Sequence, residues 1–360
     1  IKIFAKIHDI FIFASLNQIN AMLNKQQRKE IQEFISDNRK IVITTHTNPD
    51  GDAIGSSLAI YHYLKAKGAI VDAIVPNKYP EFLSWLPSSD ELIIYEKNSK
   101  IAKQKLFDAD LIFCLDYNAL SRVGSVTDVL KATKAKKLLI DHHIDPEVEN
   151  FEYIISDVNT SSTGELIYDF IVSMGDEKLI NEIIAQCLYT CIITDTGSFS
   201  HSCNNSKTYE VMAKLIKTGI DARHLHGLIY NTFSENRLRL LGHSINERML
   251  VWKNLKTALI YLTKEDLQKF KYQVGDTEGI VNFALSMDKV NIAILVTEKD
   301  NKIRLSFRSK GEFSVNDLAR KHFNGGGHRN AAGGNMNLPI EDVIKKIKSV
   351  LNDYKEKLSY

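Results

Sequence analysis

With 360 residues, the chain is long enough for two domains, because domains usually hold roughly 100 to 200 residues. Its 46 basic and 44 acidic side chains leave a net charge of +2, which excludes the uniformly basic surface of a histone-like or membrane-surface protein. Any contact with nucleic acid is therefore local. The cysteines stand mostly among apolar residues, and Cys187 and Cys191 have the i,i+4 spacing of a buried helix face. This pattern indicates reduced thiols and a cytoplasmic protein.

Residues 1–21 are interpreted as an N-terminal extension rather than as a secretion signal. Their uninterrupted apolar run, from Ile10 to Leu16, is at the short limit for a signal peptide, and Asp9 interrupts the approach to it. No stretch of the sequence approaches the roughly 20 apolar residues that a membrane-spanning helix needs. From Met22 the sequence has the pattern of an ordinary polar helix.

Between residues 22 and 225, short β-branched runs alternate with longer helical patterns. The strand-like runs are "IVITT", "AIVDAIV", "DLIFCLD" and "KLLIDHH", and a helix is predicted from about Ile54 to Lys67. This alternation is typical of a mostly parallel, doubly wound α/β sheet covered by helices. Helical patterns follow in "STGELIYDFIVSMG" and "LINEIIAQCLYTCIIT", with Ser161, Ser162 or Thr163 available as an N-cap.

A helical connector is predicted at 226–250, and beyond it the pattern changes to that of a smaller α+β domain at 251–360. The strand-like runs here are "KTALIYLT" and "VNIAILVTEKDNKIRLSFRSK", in which Asp300 and Asn301 predict a hairpin turn. A glycine-rich segment, "FNGGGHRNAAGG", precedes a final amphipathic helix. The sequence therefore predicts two domains of different architecture.

Acidic residues and histidines recur where successive apolar runs end. They are His46, Asp50, Asp52, Asp116, Asp141, His142, His143 and Asp195. Because ligands of open α/β sheets bind beyond the carboxyl ends of the strands, we expect these side chains to meet in one crevice. Carboxylates that lie so close together repel one another unless a cation lies among them. Mixed Asp and His ligands favour Mn²⁺, with Mg²⁺ or Co²⁺ compatible, over a structural zinc.

Each of these elements alone has an ordinary structural interpretation. "NPDG" is more often a β-turn than a metal site, and Asp141 could cap a helix while the neighbouring histidines are solvated. Four such elements at the ends of four apolar runs together favour a metal centre. A carboxylate shared by two ions would place them about 3.5 to 4 Å apart, as in two-metal phosphoryl chemistry. Asp108 and Asp110 precede a strand and are interpreted as an exposed approach loop.

The sequence resembles the DHH phosphoesterase superfamily in its motifs and in their order. The first half has "HTNPDGDAIGSS", "LDYN", "DHH" and "TDTGSF", and the second half has "RLSFRSKG" and "GGGHRNAAGG". The resemblance covers nearly everything from Met22 onward and implies a DHH catalytic domain with a DHH-associated C-terminal domain. Within the superfamily, the length and the C-terminal motifs are most similar to the group of bifunctional oligoribonucleases (nanoRNases) and pAp phosphatases.

The resemblance implies two metal ions with one shared ligand. His46 and Asp50 would bind the first ion, and Asp116 would bridge the two. The remaining ligands would bind the second ion: Asp52, His142 and Asp195.

Further residues have implied roles beside the ions. Asp141 would orient a histidine ligand or hold its loop, and His143 would contact the scissile phosphate. The family often has an arginine after "DTG", where this chain has Ser198, so the phosphate contact expected there is absent or supplied by another residue. Tyr117 and Phe199 could stack a base, although packing is the ordinary role of such aromatic residues.

The glycine-rich segment of the second domain is a candidate anion site. The backbone of Gly326 and Gly327 could approach a phosphate closely, and His328 and Arg329 would add positive charge. The alternative is a flexible loop that opens onto a helix. The resemblance places Arg308 and His328 at the phosphate or nucleotide end of the substrate.

These observations predict a Mn²⁺-dependent hydrolase that activates a water with two metal ions. Its expected substrates are single-stranded RNAs of about two to five nucleotides, cleaved to nucleoside 5′-monophosphates, and pAp, cleaved to AMP and phosphate. The near-neutral charge fits short substrates better than processive binding of long nucleic acid. A homodimer is compatible with the sequence. The alternatives are a phosphodiesterase for the linear dinucleotides pGpG and pApA, and a non-catalytic nucleotide-binding module.

Overall fold

The computed structural model describes residues 23–36, 39–201, 203–299 and 302–358. The chain forms two compact units, one ending at Thr232 and the other beginning at Phe233. This division falls in the stretch that the sequence predicts as a helical connector. Two predicted features, the N-terminal extension at 1–21 and the hairpin turn at Asp300 and Asn301, lie outside the described residues.

The first unit is an α/β domain built on one sheet. Its strands are β1 (Lys40–Thr45), β2 (Ile70–Val75), β3 (Ile93–Ile94), β4 (Leu111–Leu115), β5 (Lys136–Asp141) and β6 (Tyr153–Ser156). Its helices are α1 (Lys25–Ser36), α2 (Gly51–Ala66), α3 (Tyr95–Asp108), α4 (Thr127–Ala132), α5 (Thr163–Ser173), α6 (Glu182–Asp195), α7 (Ser206–Lys217) and α8 (Ala222–Tyr230).

All neighbouring strands of the first sheet are parallel, in the order β3-β2-β1-β4-β5-β6. Apolar clusters cover both faces, so a central strand such as β4 is buried along its whole length. Strands buried on both faces carry continuous apolar runs, which is why "LIFCL" shows no polar alternation. The predicted parallel, doubly wound sheet is confirmed. Its strand order reverses between β1 and β4, and ligands of such sheets bind at this point.

Glycines let three helices approach one another above one face of this sheet. A Cβ on Gly55 of α2 would lie 2.6 Å from the Sγ atom of Cys191 in α6, and one on Gly164 of α5 would lie 2.2 Å from the Cys191 Cβ. Only residues without side chains allow these approaches. The predicted buried helix face at Cys187 and Cys191 is confirmed, and all four cysteines are free thiols. The close packing brings the starts of α2 and α5 to the end of α6.

The second unit is built on a mixed sheet. Its strands are β7 (Met249–Trp252), β8 (Thr257–Leu262), β9 (Ile292–Lys299), β10 (Lys302–Ser309), β11 (Gly326–His328) and β12 (Ala331–Met336). Its helices are α9 (Glu235–Asn246), α10 (Lys264–Lys269), α11 (Ile280–Leu285), α12 (Val315–His322), α13 (Ile340–Asp353) and α14 (Lys355–Leu358).

The second sheet has the order β11-β12-β10-β9-β8-β7, with β8 and β9 parallel and the other neighbours antiparallel. Apolar residues on one face, among them Leu305 and Phe307, pack against α12 and α13. On the other face, β8 and β9 pack against α9, α10 and α11. The predicted α+β architecture is confirmed. In neither unit do the described residues include a helix with the length and apolar composition to cross a bilayer.

A buried carboxylate links three segments of the second unit. Asp266 accepts hydrogen bonds from His243 Nε2 at 2.8 Å and from Arg248 Nε and Nη2 at 2.8 and 2.9 Å. It also accepts the backbone N–H of Thr263 and so completes a capping box at the start of α10. Burial raises the pKa of Asp266, but the hydrogen bonds, first among them those from Arg248, outweigh it and hold this pKa well below its ordinary value.

Replacing Asp266 by Ala is expected to lower the free energy of unfolding by about 2 to 4 kcal/mol, because Arg248 would lose a buried partner. The loss stays below that of a fully buried pair, since the Arg248 side chain is 31% exposed. Because the pKa of Asp266 is lower in the folded than in the unfolded state, its carboxylate stabilises the fold fully at pH values above the unfolded-state pKa. This stabilisation is lost as the pH falls through the folded-state pKa. Urea unfolding at pH 7 measures the change. The control Asp342→Ala, at an exposed pair with Lys345, should cost less than about 0.5 kcal/mol; an equal cost would contradict this account.

Candidate metal centre

The predicted metal ligands of the first unit meet at the carboxyl edge of its sheet. His46 directly follows β1 and Asp116 directly follows β4, the two strands between which the strand order reverses. His142 follows β5, and Asp195 is the last residue of α6. Parallel strands end at the same edge, so three separate strands deliver their first polar side chains to one place.

One cluster of ligand atoms is formed by His46, Asp50 and Asp116, whose candidate atoms all lie within 4.8 Å of one another. The Nε2 atom of His46 is 3.3 Å from Asp116 Oδ2 and 3.9 Å from Asp50 Oδ1. Asp50 is also the N-cap of α2 and accepts the N–H groups of Asp52 and Ala53, both at 3.1 Å. The cap fixes the Asp50 carboxylate at the edge of the cluster.

A second cluster is formed by Asp52, Asp116 and His142. The Nε2 atom of His142 is 3.7 Å from Asp52 Oδ2, 3.6 Å from Asp116 Oδ1 and 3.4 Å from Asp195 Oδ2. Asp52 and His142 are buried, whereas the Asp195 side chain is 28% exposed. Asp195 therefore lies on the side of the second cluster that is most exposed to solvent.

Asp116 belongs to both clusters and turns a different oxygen toward each. Its Oδ2 faces His46, and its Oδ1 faces His142 and accepts a hydrogen bond from Thr163 Oγ1 at 3.0 Å. The residue has a φ of 63°, in the left-handed region that aspartate enters more readily than most residues. This turn at the end of β4 directs a buried carboxylate between the two histidines.

The start of α5 holds the Asp52 carboxylate. Its Oδ2 accepts the N–H of Thr163 at 2.7 Å and its Oδ1 accepts the N–H of Gly164 at 3.0 Å. The N-terminal N–H groups of a helix have no partner within the helix and favour negative charge. The predicted N-cap is confirmed at Ser162, whose hydroxyl accepts the N–H of Glu165. Asp52 therefore accepts two N–H groups at the start of α5 that the Ser162 cap does not bind. In return, these N–H groups stabilise the ionised form of Asp52, which burial disfavours.

Burial and crowding disfavour the charged forms of two members of this centre, Asp52 and His142. Burial, then the neighbouring carboxylates Asp116, Asp195 and Asp50, raise the pKa of Asp52 well above its ordinary value. Burial also lowers the pKa of His142 and so disfavours its protonated form. Both shifts arise because charged forms are poorly solvated at this edge of the sheet.

The donor groups fit divalent cations. The Nδ1 atom of His46 lies 2.8 Å from the carbonyl oxygen of Thr47, which can only accept, so this nitrogen carries a proton. Nε2 then faces two carboxylates, and although burial opposes it, these carboxylates raise the pKa of His46. A divalent cation bound by Nε2 and the carboxylates would take the place of the proton that this arrangement favours. Cys191 is nearby, but burial raises the pKa of its thiol, and its Sγ is engaged by the backbone oxygens of Cys187 and Asp52 and by the Ser56 hydroxyl. The set of oxygen and imidazole donors without thiolate is one that Mn²⁺ and Mg²⁺ accept.

Asp141 orients His143. Its Oδ1 accepts a hydrogen bond from His143 Nδ1 at 2.7 Å, and its Oδ2 accepts the backbone N–H of the same residue at 3.1 Å. Burial, together with repulsion from Asp116, raises the pKa of Asp141 to about 7. The two contacts fix the ring so that Nε2 points away from Asp141.

Sequence reasoning missed the hydroxyl of Thr163, which it considered only as a candidate N-cap. Thr163 and Asp116 are 47 residues apart, and no local pattern links a helix start to the end of a distant strand. Tyr117, named as a candidate for base stacking, is fully buried and bonds to Thr44 Oγ1 at 2.8 Å, so it packs beneath the centre instead. At Ser198, where an arginine was expected, the Oγ atom lies 3.0 Å from His226 Nε2.

In the second unit, strand register brings together two of the predicted substrate residues. Arg308 on β10 and His328 on β11 both pair with Ala331 of β12, from opposite sides. Cross-strand partners point to the same face, and neighbouring strands lie about 4.8 Å apart. The two side chains therefore stand on one face, about 10 Å apart at their Cα atoms, with the small Ala331 between them.

The other predicted substrate residues already have partners within the second unit. The N–H of Gly327 donates to Asn316 Oδ1 at 2.8 Å. The guanidinium of Arg329 donates to the carbonyl of Glu312 and contacts its carboxylate. Gly326 pairs with Gly333 in the sheet. The segment is thus an edge strand and its turn, with part of its backbone committed to Asn316.

Two family models match the chain. The model of the DHH family, N-terminal domain, matches residues 40–192, and that of the DHHA1 domain matches residues 256–357. The chain belongs to the DHH family and is a hydrolase of phosphoester bonds. The resemblance seen in the sequence motifs is confirmed.

Three known proteins illustrate the similarity. The probable bifunctional oligoribonuclease and PAP phosphatase NrnA of Streptococcus mutans is 28% identical over 86% of this chain and 94% of that protein. The cyclic-di-AMP phosphodiesterase GdpP of Bacillus subtilis is 25% identical over 91% of this chain, which spans 49% of that protein. The crystal structure of an exopolyphosphatase-related protein from Bacteroides fragilis is 41% identical, with a TM-score of 0.87 over 94% of this chain and 100% of that one.

Removing the shared carboxylate is expected to cost much more stability in the presence of metal than in its absence. In EDTA, Asp116→Asn should change stability only modestly, because it loses the contacts with His46 that outweigh burial and hold the pKa of Asp116 below its ordinary value but relieves the repulsion that Asp116 exerts on Asp52. In saturating Mn²⁺ the wild type should gain about 3 kcal/mol or more, since an ion at 100 times its Kd contributes about 2.7 kcal/mol. Thermal unfolding of both proteins with and without Mn²⁺ measures this. The exposed control Asp128→Asn should keep the full gain; an unchanged gain in Asp116→Asn would argue against a shared ligand.

Proposed function

We propose that the protein is a Mn²⁺-dependent phosphoesterase that hydrolyses RNAs of about two to five nucleotides to nucleoside 5′-monophosphates. The same centre would hydrolyse pAp to AMP and phosphate. One observation carries the proposal: two clusters of ligand atoms share Asp116, which turns one oxygen to each. A shared carboxylate is typical of paired ions that act on phosphoryl groups. The name of the Streptococcus mutans relative supports these substrates.

Each member of the centre has a role in this proposal. His46 and Asp50 would hold one ion, with Asp116 as the shared ligand. The other ion would be held by three further residues: Asp52, His142 and Asp195. When bound, the ions would neutralise charge on the phosphoryl oxygens and make a water acidic enough to attack phosphorus near neutral pH.

The remaining work is done by side chains of the protein. Asp141 fixes the His143 ring, and in the protonated ring the Nε2–H would donate to a phosphoryl oxygen and stabilise its charge as the bond to the leaving oxygen breaks. Thr163 holds Asp116 in place through its hydroxyl, and the start of α5 holds Asp52. These contacts fix the ligands before substrate arrives, so little reorganisation is needed during the reaction.

In the second unit, we propose that Arg308 and His328 bind the far phosphate of the substrate. Their placement on one face, on either side of Ala331, supports this role. Arg329 and the edge strand at Gly326 and Gly327 would shape the pocket, although the Gly327 N–H is already used by Asn316.

A product time course with Mn²⁺ tests the substrate class. Dinucleotide, five-nucleotide RNA, long RNA, pAp and inorganic polyphosphate are compared in parallel, with pGpG and pApA as further dinucleotides. We expect fast release of nucleoside 5′-monophosphates from the short RNAs, turnover of pAp, and slow attack on long RNA. Faster cleavage of long RNA, or of polyphosphate, than of any dinucleotide would overturn the proposed substrates. The dinucleotides pGpG and pApA are included because one relative is named a cyclic-di-AMP phosphodiesterase, and polyphosphate because another is named exopolyphosphatase-related.

Ligand substitutions test the centre itself. Asp52→Ala and His142→Ala are each expected to lower kcat more than 100-fold, because even residues that only support metal ligands contribute about 10- to 100-fold. Asp195→Asn, at the more exposed end of the cluster, is the variant least prone to disturb folding. Circular dichroism confirms the fold of each variant. Full Mn²⁺-dependent activity in a folded Asp52→Ala or His142→Ala protein would refute the assignment.

Asp141→Asn separates the role of His143 from metal binding. Asparagine has one side-chain acceptor where aspartate uses two, so one of the contacts to His143 is lost. We expect kcat to fall about 10- to 100-fold with little change in the Mn²⁺ concentration for half-maximal activity. The exposed control Asp90→Asn should alter neither value. An equal fall in metal affinity would place His143 among the metal ligands instead.

A further inference from the structure

Two aromatic rings lie stacked on the first unit shortly after the helix that carries Asp195. Phe199 lies in the loop after α6 and Tyr209 lies on α7, with ring centroids 5.0 Å apart and an interplanar angle of 18°. Helix α7 is amphipathic and directs residues such as Val211 and Leu215 into the core. Tyr209 lies outside this buried face and is 49% exposed. A large aromatic residue is thus placed on a surface where packing does not require one.

The loop that carries Phe199 is fixed to the end of α6. The N–H of Ser198 donates to the carbonyl of Ile193 at 2.8 Å, and the N–H of Phe199 donates to Thr196 Oγ1 at 3.1 Å. Residues 197–199 all have positive φ, which turns the chain sharply away from the helix axis. The position of Phe199 relative to Asp195 is therefore set by backbone hydrogen bonds.

A short stretch of chain links the aromatic pair to the metal centre. Phe199 follows Asp195 by four residues, so their Cα atoms are at most about 14 Å apart, and the turn shortens this distance. The Asp195 carboxylate lies 3.4 Å from His142 Nε2 and so belongs to the centre. The centroid of the Tyr209 ring lies 5.0 Å from that of Phe199, so the pair adjoins the segment that supplies Asp195.

The exposed aromatic surface of the pair favours a nucleobase as its ligand. Phe199 covers one face of the Tyr209 ring, so the exposed surface of Tyr209 belongs to the opposite face and the ring edge. Bases stack on such rings whatever their sequence, because every base has a π-face. Polyphosphate and pyrophosphate have no group that could use this surface. The Tyr209 hydroxyl contacts Cys203 Sγ at 3.7 Å, and the Cys203 thiol donates to the Phe199 carbonyl, which ties the two rings together.

We propose that Tyr209, supported by Phe199, is a stacking platform for one base of the substrate while the adjoining phosphate lies at the metal centre. The inference rests on the proposed function and narrows it to substrates that carry a base. It also assigns a binding role to a segment that follows the metal ligands in sequence but contributes none of them.

Steady-state kinetics with base-bearing and base-free substrates test the platform. The wild type, Tyr209→Ala and Tyr209→Phe are assayed with Mn²⁺ on a dinucleotide and on two analogues, each abasic at one position. Tyr209→Ala should raise KM for the intact dinucleotide about 5- to 150-fold, the effect of losing one base–aromatic stack. Tyr209→Phe keeps the ring and should retain the wild-type KM. Phe107→Ala, which removes an exposed aromatic residue on α3, is the matched control.

The abasic analogues distinguish stacking from a general loss of structure. For the analogue that lacks the stacking base, wild type and Tyr209→Ala should have the same high KM. Equal losses on all three substrates, or an unchanged KM for the intact dinucleotide, would overturn the platform. Failure of the wild type to cleave the dinucleotide at all would instead refute the proposed function.

Discussion

Buried carboxylates repel one another, and the first unit concentrates this repulsion around Asp116. This side chain lies between His46 and His142, beneath the surface, with Asp50, Asp52 and Asp195 close by. Burial raises the pKa of Asp116, but His46, then His142 and Arg122, outweigh it and hold this pKa below its ordinary value. Repulsion remains at Asp52, whose pKa is raised by burial and then by Asp116, Asp195 and Asp50, and the requirement for cations there explains the contacts that surround it.

The fold meets this requirement by fixing the negative groups before any ion binds. The parallel sheet brings the ends of β1, β4 and β5 to one edge, and close helix packing at Gly55 and Gly164 brings the start of α5 beside them. The free N–H groups of α5 hold Asp52, and Thr163 holds Asp116. A centre assembled on strand ends and helix ends is more rigid than one built on long loops.

The sequence was sufficient to predict the parallel sheet, the second mixed domain and the residues that gather at the sheet edge. These features are local: apolar runs mark strands, and the first polar residue after each run marks the edge. Contacts between distant segments were not predictable. The hydroxyl of Thr163 reaches Asp116 only because α5 and β4 meet in space, and the register that places Arg308 beside His328 depends on pairing across β12. The stacking of Phe199 on Tyr209 likewise depends on how α7 packs.

The two ions and their shared ligand are the central claim. Anomalous X-ray diffraction at the manganese absorption edge, from crystals grown with Mn²⁺, tests it most directly. The account predicts two peaks about 3.5 to 4 Å apart, with the two oxygens of Asp116 directed one to each peak. A single peak, or two peaks with Asp116 bound to only one of them, would contradict it.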